Sequence, residues 1–389
     1  MFAVEELVVS EINIVSAMHL PIIATRKAFF IAGFSLASWA PLIPLAKQRL
    51  QVENGTMGAI LLAFGLGSLL MMPLSGMLAA RFGCRRIFTL ATILVLVMLP
   101  ALVSIETVLP LAITLFLFGA GIGAMDVVVN IHAVITEKQA QKPIMSGFHA
   151  LFSLGGFAGA GIVSLLLTLG TTPLQVIILV VLFISFLMVS TWSGLTNYTT
   201  SNDTPFFVLP KGSVIILGLL CFIAYIMEGS MLDWSGILLL SQQHIAPNHA
   251  GLGYTLFAIM MTVGRVFGDK AISHWGAQRV FINGSFMAIF GFAILVANGP
   301  LWTLAIAFML IGLGLSNIAP MLFTVSGKQT IMPEALAVAA VSTLGYSGIL
   351  LGPALIGGIA HMFTLPAAFI CVTLMSTALI FCIRLIKLT

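Results

Sequence analysis

The chain has 389 residues, of which 60% are apolar and only 7% are Asp, Glu, Lys or Arg, with a formal net charge of +4. A soluble domain carries roughly 25% charged residues, so a water-soluble globule of this size could not cover its surface, and the scattered basic residues exclude a nucleic-acid footprint. Cys84, Cys221, Cys371 and Cys382 have neither metal-ligand nor disulfide-framework spacing and read as small apolar fillers.

The stretch before Arg26 holds Glu5, Glu6 and Glu11 and no Lys or Arg. It lacks the charged start of a secretory signal and reads as a short, loosely held tail, residues 1–26. Twelve apolar segments follow, each near the ~20 residues that a bilayer core requires. They are placed at 27–46, 56–79, 87–105, 108–135, 145–169, 173–193, 213–239, 250–270, 277–297, 300–323, 334–359 and 365–386. The first carries Phe34 and Trp39. The fourth carries Asp126 and Asn130, four apart and therefore on one helix face, with His132 two positions on. His149 opens the fifth. The polar run 197–212, with its Asn, Thr, Ser and Pro, is the longest interruption and reads as a linker. Glu228, Asp233 and Trp234 lie on the seventh segment, His244 and His249 in the loop after it, and Arg265 near the inner end of the eighth. Asn317 falls towards the inner end of the tenth and Tyr346 on the eleventh. The expected fold is all-α, with twelve transmembrane helices in two parallel six-helix repeats: a bundle at 27–193, a cytoplasmic linker at 194–212 and a bundle at 213–389.

An ionisable side chain at membrane depth costs several kcal/mol and is tolerated mainly where it lines a polar cavity or a translocation path. Asp126 and Glu228 therefore point to transport. Trp39, Trp234, Phe34 and Tyr346 offer flat apolar surfaces for a sugar or polyol ring, with lipid-facing or core packing as the plainer account. For His149 and His132 the plain account is a neutral, hydrogen-bonded imidazole, and the sharper one a pH-sensitive partner of Asp126. Arg265 reads as a snorkelling side chain or the partner of a nearby carboxylate, with substrate contact as the sharper account.

Orientation follows from the basic residues. With the N-terminus inside, Lys47 and Arg49 alone fall on the outer side, and the other loop Lys and Arg residues are cytoplasmic, as are both termini. Gly58 and Gly251, Gly119 and Gly312, Gly121 and Gly314, Gly155 and Gly348, and Gly159 and Gly352 are each 193 positions apart. The second half is thus a weak copy of the first, related to it by an axis along the membrane normal.

The segment Gly76-Met-Leu-Ala-Ala-Arg81-Phe-Gly83-Cys-Arg85-Arg86 resembles the cytoplasmic gating motif of the major facilitator superfamily of secondary transporters, with Ala80 at the usual Asp position. A weaker copy, Gly268-Asp269-Lys270 through Gly276 to Arg279, retains a carboxylate. FSLASWAPLIP, GIGAMDVVVNIHA, PIMSGFHALFSLGG, EGSMLDWSG, GLSNIAPMLFT and STLGYSGILLGPALIGGIA resemble the bacterial branch related to fucose permeases. These resemblances imply a gate at Gly76, Arg81, Gly83, Arg85, Arg86 and Asp269, with the latch shifted towards Asp269. They also imply a cavity lined by the first, fourth, seventh and tenth helices. Proton coupling is expected at Asp126 and Glu228, with His149 as a pH-sensitive partner. Solute contacts are expected at Asn130, Trp39, Glu228, Asp233, Trp234, Asn317 and Tyr346. The expected activity is proton-coupled symport of a small polar solute such as a sugar or polyol by a monomer in the bacterial inner membrane, in contact with lipid. Antiport of a metabolite or drug-like compound, or uncoupled facilitation, is the alternative. No cofactor, metal or nucleic acid is expected, and no phosphate-binding loop or nucleophile–base constellation points to an enzyme.

Overall fold

The computed structural model describes residues 2–197, 208–243 and 251–382. The middle of the expected linker, His244 and His249 lie outside the described residues. The helices are α1 (Phe2–Ser38), α2 (Ile43–Leu50), α3 (Asn54–Phe82), α4 (Cys84–Ser104), α5 (Val108–Ala140), α6 (Met145–Thr168), α7 (Pro173–Thr191), α8 (Ser213–Gln243), α9 (Leu252–Trp275), α10 (Ala277–Ala297), α11 (Leu301–Leu315), α12 (Ile318–Lys328), α13 (Glu334–Met362) and α14 (Leu365–Cys382). Among the described residues the regular structure is entirely helical. Among the described residues ten spans are long and apolar enough to cross a membrane. The shorter apolar α14 and the charge-bearing α9, with Arg265, Asp269 and Lys270, complete the twelve segments.

Two segments are broken rather than continuous. The first passes from α1 through a short 3-10 turn, Ala40–Leu42, into α2, where Pro41 and Pro44 have no N–H to offer the carbonyls of Ala37 and Ala40 four residues back. The tenth is interrupted at Ser316 and Asn317 between α11 and α12. Pro320 accounts for this break: it has no N–H to offer the carbonyl four residues back, and its ring crowds that carbonyl, which is that of Ser316. At the N-terminus α1 is helical from Phe2, through the stretch expected to be a loose tail.

The chain groups into two compact units, Met1–Lys142 with Leu151–Phe206, and Pro143–Ala150 with Phe207–Thr389. In the first, α3 and α4 pack on α5. A Cβ on Gly119 would strike the Phe64 carbonyl, and one on Gly121 would lie 3.3 Å from the Ala91 carbonyl. In the second, Gly312 meets the Phe257 carbonyl and Gly314 the Gly284 carbonyl. Both members of each pair are displaced by 193 positions, from 119 to 312, 64 to 257, 121 to 314 and 91 to 284. The repeat therefore extends from sequence to contact: the same helix pairs are held close by the absence of the same side chains, which lets backbone pack on backbone without a hydrophobic driving force. The turns repeat as well. Gly83 joins α3 to α4 with φ 86° and Gly276 joins α9 to α10 with φ 83°, a conformation cheap only for glycine.

Charged side chains close helix ends within the first unit. The guanidinium of Arg49 donates to the carbonyls of Leu102 (2.7 Å), Val103 (2.6 Å) and Ile105 (2.9 Å), satisfying the last turn of α4. Arg85 donates to the carbonyls of Leu195 and Ser193 just beyond α7, and its guanidinium lies 5.7 Å from the Trp192 ring.

Candidate solute and proton site

In the first unit, Asp126 is half-buried on α5 and Asn130 is fully buried one turn on. The Asn130 amide donates to the Asp126 carbonyl at 2.9 Å and approaches its carboxylate at 3.5 Å. Its own Oδ1 is buried without a hydrogen-bond partner. A buried orphan acceptor beside a carboxyl is costly unless something arrives to donate to it. Trp39, at the break after α1, is buried and its indole N–H also lacks a partner. Phe34 is packed between Phe30 (5.8 Å) and Phe183 (5.1 Å), a core position.

His132 belongs to a different network. Thr196 N–H donates to Nε2 (3.0 Å), Nδ1 faces Thr25 Oγ1 (2.8 Å), and that hydroxyl donates to the Pro21 carbonyl (2.7 Å). With Nε2 accepting and Thr25 spending its proton on Pro21, the network closes when Nδ1 carries the hydrogen, which is the neutral form. His132 thus ties α1 and the segment after α7 to α5.

Of the expected gating residues in this unit, Gly76 is buried in α3, and Gly83 supplies the turn, with Asn197 Cα 3.0 Å from where a Cβ would sit. Arg81 is exposed over the Phe82 ring (5.6 Å), Arg86 is exposed, and Arg85 is held as described.

The second unit holds a denser polar cluster. Arg265 on α9 is 7% exposed. Its Nη2 lies 3.7 Å from the Glu228 carboxylate on α8, and its Nε donates to the Ser316 carbonyl at 3.4 Å. Pro320 thus disqualifies a carbonyl within the broken helix, and an arginine from the next helix takes it. Asn317 is buried at the same break; its amide donates to the carbonyl of Gly264 (3.1 Å) and to Ser316 Oγ (2.9 Å), and its Oδ1 has no hydrogen-bond partner. That oxygen rests against Gly268, where a Cβ would overlap it. Tyr254 lies close enough to feel the charges of Glu228, Arg265 and Asp233. Asp233 is exposed, while Trp234 is half-buried with its ring against Gly357 and its indole N–H unpartnered. Tyr346 is half-buried on α13.

The start of α6 belongs to this unit. Asp269 accepts from the backbone N–H groups of Ser146 (2.9 Å) and Gly147 (2.8 Å), one on each carboxylate oxygen. Two of the four unsatisfied donors of that helix are thereby paired with a carboxylate, and the helix dipole adds to the attraction. His149, one turn on, is buried and stacked on Phe323 (5.7 Å), within reach of the Arg265 charge. It groups with the second unit, whereas Asp126 belongs to the first.

Sequence reasoning set a snorkelling side chain or a carboxylate partner against substrate contact for Arg265, and the carboxylate beside it is that of Glu228. It did not single out Ser316, Tyr254 or Ser146. For Ser316 a signal existed, a proline four residues downstream; for Ser146 none did.

Broken membrane helices, carboxyl groups on membrane-spanning segments and a twofold internal repeat together define a secondary transporter. Residues 28–232 match the family described as the Major Facilitator Superfamily. An uncharacterized MFS-type transporter of Yersinia pestis is 46% identical over 354 residues, covering 91% of this chain and 92% of that one. The chain belongs to the Major Facilitator Superfamily. Its fold is also that of the human organic anion transporter MFSD10 (TM-score 0.78, 13% identity, 94% of this chain and 99% of that one). The same holds for the transporter FucP in its outward conformation (TM-score 0.74, 13% identity, 95% and 99%).

Proposed function

We propose that this multi-pass secondary transporter carries out proton-coupled symport of a small polar solute, of the sugar or polyol kind, by alternating access. It acts as a monomer in a bacterial inner membrane with both termini cytoplasmic. The observation that carries the reading is Asp126 beside Asn130. A carboxyl on a membrane-spanning helix, next to a buried amide oxygen that lacks a donor, can hold a proton in one state and release it when the surroundings rehydrate. Glu228 is the second proton carrier and a solute contact, with Asn130, Trp39, Asp233, Trp234, Asn317 and Tyr346 lining the path. Support comes from the family, in which secondary transport is the common activity, and from the twelve-segment architecture.

Gating belongs to the same proposal. Gly76, Arg81, Gly83, Arg85 and Arg86 hold the cytoplasmic turn of the first half, and Asp269 latches the start of α6, with His149 beside it as the pH-sensitive group.

The test is uptake in proteoliposomes under an imposed pH gradient. Asp126→Asn should abolish gradient-driven accumulation while leaving solute exchange measurable. Accumulation with wild-type proton stoichiometry in that variant would remove Asp126 from the coupling role.

A further inference from the structure

We infer that the transported solute carries a carboxylate, which binds Arg265 by taking the place of Glu228. This rests on the proposed proton-coupled symport and narrows its solute to a sugar or polyol acid.

The geometry of the pair motivates it. Arg265 is buried, yet its nearest Glu228 oxygen is 3.7 Å away, beyond the length of a charge-assisted hydrogen bond. From behind, the guanidinium is anchored on the Ser316 carbonyl at the helix break. Glu228 is the more open partner, its side chain 31% exposed. A planar guanidinium fork held from one side, with a loosely seated carboxylate on the other, suits an exchange of one carboxylate for another. Neither half of the exchange is favourable alone. Withdrawing Glu228 takes a counter-charge away from a buried cation, and adding a second carboxylate beside an ionised Glu228 adds a buried negative charge. When Glu228 takes a proton as the solute carboxylate arrives, the charge of the cluster is unchanged. Solute and proton therefore bind together, one for one. A phosphate dianion would leave one excess negative charge beside Asp233, so the carboxylate is favoured.

Other groups face this pair. Asp233 shares α8, Tyr254 and Asp269 share α9, and His149 lies at the start of α6. The other helices packed on α8 bring Tyr346 near the middle of α13, Cys371 on α14, and Lys328, Glu334 and His361 at the ends of α12 and α13. A pH response that survives in Glu228→Gln would come from one of these.

The experiment measures binding to the purified full chain by thermal shift and calorimetry, with gluconate and galacturonate, uncharged glucose and inositol, glucosamine, and glucose 6-phosphate. The carboxylates should bind to the wild type, with affinity falling by up to about tenfold per pH unit as pH rises, the signature of one linked proton. Arg265→Gln should lose this binding, Arg265→Lys should recover part of it, and Glu228→Gln should bind the acid without the pH dependence. The comparison among solutes on the wild type needs no variant. Binding of uncharged sugars alone, binding of the phosphate in preference to the carboxylates, or no response to either acid would overturn the proposal. Proton-driven accumulation of an uncharged sugar would do so while leaving symport intact. Carboxylate binding that depends on Arg265, without accumulation under any proton gradient, would sink the symport reading and keep the anion site.

Discussion

Gly268 shows how little space the second unit leaves at single positions. The Asn317 amide oxygen and the Ser146 side chain both lie where a Cβ would be built on this glycine. Adding one methyl group must push back the start of α12 or the start of α6. Overpacking of this kind costs ~1–3 kcal/mol. Gly268→Ala should therefore lower the melting temperature of the detergent-solubilised protein, whereas the same change at Gly251, which has nothing within 4 Å of its Cβ position, should leave it nearly unchanged. Equal melting of the two variants would refute the close approach. At this scale, sequence picked out Asp126 and Glu228 because a carboxyl inside an apolar run is conspicuous without any structure. It was blind to Ser146 and Tyr254, whose residue types are ordinary in membrane helices.

At the scale of the element, the break between α11 and α12 joins backbone to chemistry. Were Pro320 replaced by alanine, the N–H restored at that position could bond the Ser316 carbonyl and continue the helix. Arg265 would then lose its anchor. Pro320→Ala is expected to keep or raise thermal stability and to weaken solute binding, by roughly ten- to a hundredfold if one hydrogen bond to a charged donor is lost. Circular dichroism melts and binding isotherms on one preparation check both halves; unaltered affinity would show that the break does not position Arg265. The spans themselves were legible in the sequence to within a few residues for most segments, because the bilayer asks for a local property, about twenty apolar residues. The interruption of the tenth span was not foreseen, although the proline stood in plain view, since prolines inside membrane helices are often absorbed without a break.

For the whole molecule, the informative connection is α6, whose first residues group with the second unit and whose remainder groups with the first. Asp269 holds that start by two backbone N–H groups. An asparagine offers one acceptor oxygen in place of two and brings N–H donors towards N–H donors. Asp269→Asn should shift the conformational distribution measured by spin-label pairs at the two ends of the membrane-spanning helices. Gly147→Ala should act in the same direction, since its Cβ would stand 2.7 Å from the carboxylate. Distances that match wild type in both variants, with and without solute, would mean that Asp269 is merely a helix cap.

By itself, the sequence determined the membrane class, the twelve spans, the twofold repeat and the carboxyl groups at membrane depth. Each of these rests on composition or on spacing along one chain, which the apolar solvent imposes segment by segment. The tertiary structure alone decided which charges meet. Asp269 reaches an amide 123 positions away, and Arg265 finds both Glu228 and a carbonyl that a proline had set free. Such partnerships arise because buried polar groups must be satisfied by whatever packing brings near. No local pattern encodes that proximity.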